Sequence, residues 1–236
     1  MSMRTLDLRN LLVCAVAAAL GGVATASFAD NLNLVAPLGG SMSVPTVSMK
    51  EARFISTLRQ QYDFSCGSAA VATLLSHHYG YKVDEAAVFQ SMFERGNQDK
   101  IRHEGFSMAD MKHYLDSKGF IATGIEASLD ELGKAKVPAI ALINESGYAH
   151  FVVIKGMRPG EVLIGDPAAG TRVLARKDFE RYWMNNILLV VSNRIELARF
   201  NHETDWRVRP KAPLRRGVDG GGADLQLLQR RSLVDF

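Results

Sequence analysis

Four residues of this chain have the types and the order needed for covalent chemistry: Gln60, Cys66, His150 and Asp166. Cys66 stands in Gln60-Gln61-Tyr62-Asp63-Phe64-Ser65-Cys66-Gly67-Ser68-Ala69-Ala70, ahead of an apolar, helix-forming run. The chain has 2 cysteines, and the other, Cys14, falls in a segment that reads as a cleavable export signal. A single thiol left in an oxidising compartment has no internal disulfide partner, so nucleophilic chemistry is the leading explanation for it. A thiol attacks as its thiolate, and a helix start stabilises that anion through the macrodipole and unpaired amides. Gly67 offers room there for the backbone of a substrate. The thiol needs a base, and histidine has the unperturbed proton affinity that suits the task.

His150 is the best placed of the 6 histidines. It opens His150-Phe151-Val152-Val153-Ile154, a strand whose apolar body is buried while its first residue can face a cleft. Asp166 ends the next strand in Ile164-Gly165-Asp166-Pro167, where Pro167 stops the ladder. A carboxylate at that point can accept the imidazole's other N–H and fix its tautomer. Gln60 can reach back with its amide to a developing oxyanion. Each residue alone has a plainer reading: cysteine as a small hydrophobe, histidine as a solvated strand-edge residue, Asp-Pro as a turn signal. Their combination and order carry the argument. Other constellations carry none. His77 and His78 are adjacent on a helix and point about 100° apart, so they share a metal poorly. His103 and His113 have acidic neighbours of the kind common on solvated helix faces. No His-Glu-x2-His and no cysteine pair is present, and no metal or cofactor is expected.

The elements that must position these residues follow from the pattern. A strand is expected at Arg53–Leu58, then a helix from Cys66 to Tyr79 with Asp63 or Ser65 as cap and Gly80 as stop. Asp84–Arg95 has helical apolar spacing. Ser107-Met108-Ala109-Asp110 reads as a capping box for a helix closed by Gly119, and Ser128-Leu129-Asp130-Glu131 opens a shorter one. Strands follow at Ala139–Ile143, His150–Lys155, Glu161–Gly165 and Arg172–Leu174, then a helix at Lys177–Trp183 and a last strand at Ile187–Ser192. Helices first and antiparallel strands second make an α+β domain.

The flanking segments bound the rest. Arg4 and Arg9, the apolar run Leu11–Leu20 and the small residues to Ala29 give residues 1–29 the order of a secretory signal peptide, cut after Ala26 or Ala29. That apolar run is half the roughly 20 residues a spanning helix needs, so no stable membrane insertion is expected after cleavage. Residues 30–49 read as a linker, 50–193 as one catalytic domain and 194–236 as a mostly irregular basic tail. The net charge of +3 is carried from Arg199 onward. Nothing in it resembles a nucleic-acid-binding face. The segment Leu34–Gly40 ends in a double glycine, which is linker by composition and a conceivable self-cleavage site.

Gln60 through Ala70, written Gln-x5-Cys-Gly-x-Ala-Ala, resembles the active-site segment of the bacteriocin-processing cysteine peptidases, cysteine peptidase family 39, which have a papain-like fold. His150-Phe151-Val152-Val153 and Asp166-Pro167-x2-Gly170 are similar to that family's histidine and aspartate segments. The resemblance spans roughly residues 50–193. It implies Cys66 as nucleophile, His150 as base, Asp166 as its orienter and Gln60 as oxyanion donor. Many members are domains of ATP-driven exporters. This chain has no Gly-Lys-Ser/Thr phosphate loop and is more similar to the stand-alone periplasmic members, including one that accompanies a functional-amyloid secretion system. The expectation is therefore a periplasmic thiol peptidase acting on a secreted or outer-membrane polypeptide. A papain-like amidase or acyltransferase and a non-catalytic peptide-binding adaptor in secretion are the alternatives.

Overall fold

The computed structural model describes residues 31–35, 41–45 and 48–208. The signal segment with Cys14, the double glycine Gly39-Gly40 and the end of the basic tail lie outside them. The described residues fall into two units, divided between residues 47 and 48. In the first, β1 (Asn31–Val35) and β2 (Ser41–Pro45) pair antiparallel, from Asn31 opposite Pro45 to Val35 opposite Ser41, within the stretch expected to be linker.

The second unit carries the candidate site. Helix α1 (Met49–Ala52) is opened by a Ser48/Glu51 capping box, and the chain turns after it at Arg53. The strand expected at Arg53–Leu58 is absent. Phe54 N–H bonds back to Glu51, and the segment crosses the sheet edge with one backbone bond, Thr171 N–H to Arg53 O at 2.6 Å. Helix α2 (Cys66–Thr73) follows and runs into a π-helical turn at Leu74–His78, with Gly80 beyond it at φ +69° as the stop. All eight residues of α2 are buried. A helix of small residues buried all round packs closely on several neighbours at once.

Three helices follow it: α3 (Glu85–Arg95, capped by Asp84) and α5 (Met108–Ser117) pack on α2, and α4 (Gln98–Glu104, capped by Asn97) packs on α3. The Ser107/Asp110 and Ser128/Glu131 capping boxes form as expected, opening α5 and α6 (Leu129–Ala135). Helix α4 and strand β3 (Ala122–Glu126) had no expectation. The sheet continues with β4 (Ala139–Glu145), β5 (Tyr148–Arg158), β6 (Glu161–Asp166), β7 (Gly170–Ala175), helix α7 (Arg176–Tyr182) and β8 (Trp183–Val191). The six strands lie in the order β3-β8-β4-β5-β6-β7, all antiparallel.

Side chains alternate across a strand, and β5 supplies both faces. Phe151 and Val153 join the core with α2 and α5, while Val152 and Ile154 join the one covered by α6 and α7. The fold is α+β, with α2–α5 on one face of the antiparallel sheet.

The chain does not leave the domain at residue 193. Residues Ile195–Leu197 and Asp205–Val208 form 3₁₀ turns that return to it. Arg199 N–H bonds to His78 O and Asn201 N–H to Lys155 O, both at 2.9 Å. The fully buried Lys155 pairs with Asp205 at 3.1 Å and donates to Ser56 O at 2.7 Å and Ser56 Oγ at 2.6 Å. This buried ion pair, invisible in the sequence pattern, holds residues 199–208 on the sheet.

Candidate active site

Cys66 is the first residue of α2, 8 % exposed. Ser65 occupies the N-cap position without capping: its hydroxyl turns back, donating to Tyr62 O at 3.0 Å and accepting from Tyr62 N–H at 3.1 Å. The helix-start amides, which a capping oxygen would otherwise engage, are left for the thiol. Backbone N–H groups of Phe151, Gly67 and Cys66 itself point at the sulfur and favour its anion, but burial dominates and pushes the thiol up. The buried sulfur therefore needs a proton acceptor to become a nucleophile near neutral pH.

His150 and Cys66 line one cleft of about 380 Å³, whose apolar wall includes Phe106, Met108, Leu142 and Ile187. His150 is the third residue of β5 rather than its first. Its Nε2 lies 3.1 Å from Asp166 Oδ2, with both side chains almost fully buried. Asp166 ends β6 as expected. Burial would raise its carboxyl, yet the hydrogen bond and charge of His150, the Arg172 guanidinium and the Ala168 N–H together hold it down to about 2. An ionised carboxylate only accepts, so Nε2 carries the hydrogen and Nδ1 the lone pair. Nδ1 has Tyr148 O as a neighbour, at a long 3.4 Å.

Gln60 is brought to the same region by a backbone bond, Gln60 N–H to Pro167 O at 3.1 Å. Its amide nitrogen donates to Tyr62 O at 3.1 Å and Asp63 O at 3.4 Å, while its Oε1 is buried without a partner. A buried acceptor left unpaired marks a group held in an incompletely satisfied state. Gly67 does not open toward a substrate: a Cβ there would sit 2.9 Å from Phe106 Cβ, so Phe106 fills the space that the missing side chain leaves.

Three further residues belong to the site. Arg172 on β7 donates to Asp166 Oδ2 from Nε at 3.1 Å and Nη2 at 2.9 Å, and its other edge engages Glu145 at 3.3 and 2.5 Å. A guanidinium fork of this kind fixes carboxylate orientation as well as charge. The third is Tyr148, whose ring stacks on the His150 imidazole. The hairpin register, Asp166 opposite Gly170, places Arg172 just past the turn, so Asp-Pro-x2-Gly-x-Arg was the available signal. Among the described residues no group of three or more His, Cys, Asp or Glu could hold a metal.

The Peptidase C39 family profile matches residues 55–195. The chain belongs to this family. It is a C39 cysteine peptidase, and the bacteriocin-processing resemblance of its sequence motifs is of this family. Among curated relatives, the "Probable functional amyloid protease FapD" of Pseudomonas fluorescens is 41% identical over 173 residues, 73% of this chain and 76% of that protein. The protein of the same description from Pseudomonas aeruginosa is 39% identical over 155 residues, 66% of this chain and 69% of that protein. The crystallised peptidase domain of Streptococcus ComA aligns at TM-score 0.49 and 18% identity, covering 58% of this chain and 97% of that one.

Proposed function

We propose that this C39 peptidase hydrolyses a peptide bond in a secreted polypeptide of amyloid biogenesis, in the periplasm, through a thiolate and an acyl-enzyme. The observation that carries the chemistry is the Nε2–Oδ2 bond of His150 to Asp166, which aims a basic Nδ1 from the wall of the cleft that holds Cys66. Nδ1 takes the Sγ proton, and the thiolate attacks the scissile carbonyl carbon. The tetrahedral oxyanion is received by the α2 amides and by the Gln60 amide once it leaves Tyr62 O and Asp63 O. The C–N bond then breaks as Nδ1 returns its proton to the leaving amine. Water, deprotonated by the same nitrogen, hydrolyses the thioester and restores the thiol. Asp166 holds the tautomer throughout. The amyloid substrate rests on the printed description of the two Pseudomonas relatives, and the periplasmic location on the signal-like residues 1–29.

The test compares a strain carrying Cys66→Ala with its parent, following secreted polypeptides by mass spectrometry. The expected result is an unprocessed precursor that accumulates only in the variant. Normal processing and secretion in the variant would refute the proposal. A variant that secretes normally where deletion of the whole gene does not would assign the protein a binding role instead.

A further inference from the structure

We infer that Tyr148 is a positioning residue of this peptidase, setting the plane of the His150 imidazole and coupling it to the loop that carries Gln60. The inference rests on the pairing of Cys66 with His150 proposed above.

Tyr148 opens β5 two residues before His150, on the same side of the strand. Its ring stacks on the imidazole with centroids 5.1 Å apart and planes 28° apart. Its hydroxyl donates to Asp63 O at 3.1 Å, a bond between residues 85 apart in sequence. The Gln60 amide donates to the same Asp63 O, at 3.4 Å. One side chain thus touches the base and the oxyanion loop, although the ring is 47 % exposed and lines no part of the cleft.

Two physical needs explain the arrangement. The bond from Nε2 to Asp166 fixes one atom of the imidazole and leaves the ring free to swing about it. A flat neighbour on one face removes that freedom and holds Nδ1 on its line to the thiol. Once Nδ1 has taken the thiol's proton, the ring is a cation. The Tyr148 face lies inside the roughly 6 Å at which an aromatic ring attracts a cation, and Tyr148 O is the neighbouring acceptor. The exposed position of the ring is also informative. It buries little, so packing alone gives slight reason for a large aromatic there.

The test uses the full chain carrying Cys14→Ser, so that Cys66 is the only thiol, and follows its alkylation by iodoacetamide across pH. Alkylation reports the thiolate without a substrate. In the parent, a neighbouring imidazolium sustains reactivity well below the titration of a buried thiol, and His150→Ala removes that acid limb. Displacing a catalytic group by about 1 Å costs up to about 100-fold, so Tyr148→Leu is expected to lower the acid limb at least about tenfold while sparing the alkaline plateau. Tyr148→Phe keeps the ring and the limb but frees residues 60–64, which should then exchange their amide hydrogens faster. Should Tyr148→Leu fail to fold, Tyr148→Thr takes its place, threonine being a good strand former.

A Tyr148→Leu profile matching the parent, or one lowered equally at every pH, would overturn the inference. So would a Tyr148→Phe variant that loses the acid limb. If His150→Ala itself keeps the parental profile, the Cys66–His150 pairing fails, and that failure is distinct from the failure of Tyr148 alone.

Discussion

Replacing Asp166 with Asn tests the electrostatics of the site through stability alone. The carboxyl falls from the 3.8 of an unperturbed aspartate to about 2, against the opposing effect of its burial. Each tenfold change in proton affinity corresponds to about 1.4 kcal/mol, so the ionised side chain contributes about 2 kcal/mol to folding. Asp166 is only 2 % exposed, so little of this is lost to solvent screening. A depressed carboxyl contributes fully above its unfolded value and loses that contribution as pH falls through its folded one. Asp166→Asn should therefore be less stable than the parent by about 2 kcal/mol at pH 7, about 4–8 °C in the unfolding midpoint for a chain of this size. The difference should shrink as pH falls from about 4 to about 2. Other acidic groups titrate in both proteins and cancel. Urea unfolding followed by tryptophan fluorescence suits the measurement, since Trp183 and Trp206 are both buried. A difference that stays constant down to pH 2 would refute an ionised Asp166 held by His150 and Arg172.

Lys155→Met should cost about 3–5 kcal/mol, because it leaves Asp205 buried without its counter-charge. Lys155→Met combined with Asp205→Leu should recover most of that loss, and a denaturant double-mutant cycle measures the coupling. Gly67→Ala gains up to about 1 kcal/mol of helix propensity but forces Cβ against Phe106 Cβ. Overpacking of that kind costs about 1–3 kcal/mol, so a lower thermal midpoint is expected, and a higher one would show that Phe106 can yield.

How far the sequence reveals the site depends on which interactions are local. Capping at Ser107 and Ser128 is a bond between residues three apart, and the sequence pattern announces it. The helix at Cys66 and the core strands are legible because small or apolar residues run together between turn signals. Cys66, His150 and Asp166 could be picked out because each stands at or near the end of such a run. Ser65 misleads, since its hydroxyl serves the preceding turn instead of the helix. Residues 53–58 mislead for a related reason: the backbone keeps turning after α1, with Phe54 N–H bonded to Glu51 O, and the segment meets the β7 edge through the single bond of Thr171 N–H to Arg53 O. Arg172, Glu145 and the Lys155–Asp205 clamp depend on which strands become neighbours, and no local pattern carries that information. The segment 194–208 reads as tail because two polar, proline-free turns have no periodicity, yet Asp205 and Trp206 are buried.

The hairpins β4–β5 and β6–β7 place Glu145, His150, Asp166 and Arg172 in one consecutive stretch of chain, far downstream of Cys66. Imidazole, carboxylate and guanidinium assemble through neighbouring strands, whereas the thiol arrives on a separate helix. A ribosome-bound chain that has not yet delivered β5 to β7 holds Cys66 in a helix whose sheet is unfinished. The group that faces Cys66 is therefore complete only once β7 has been synthesised.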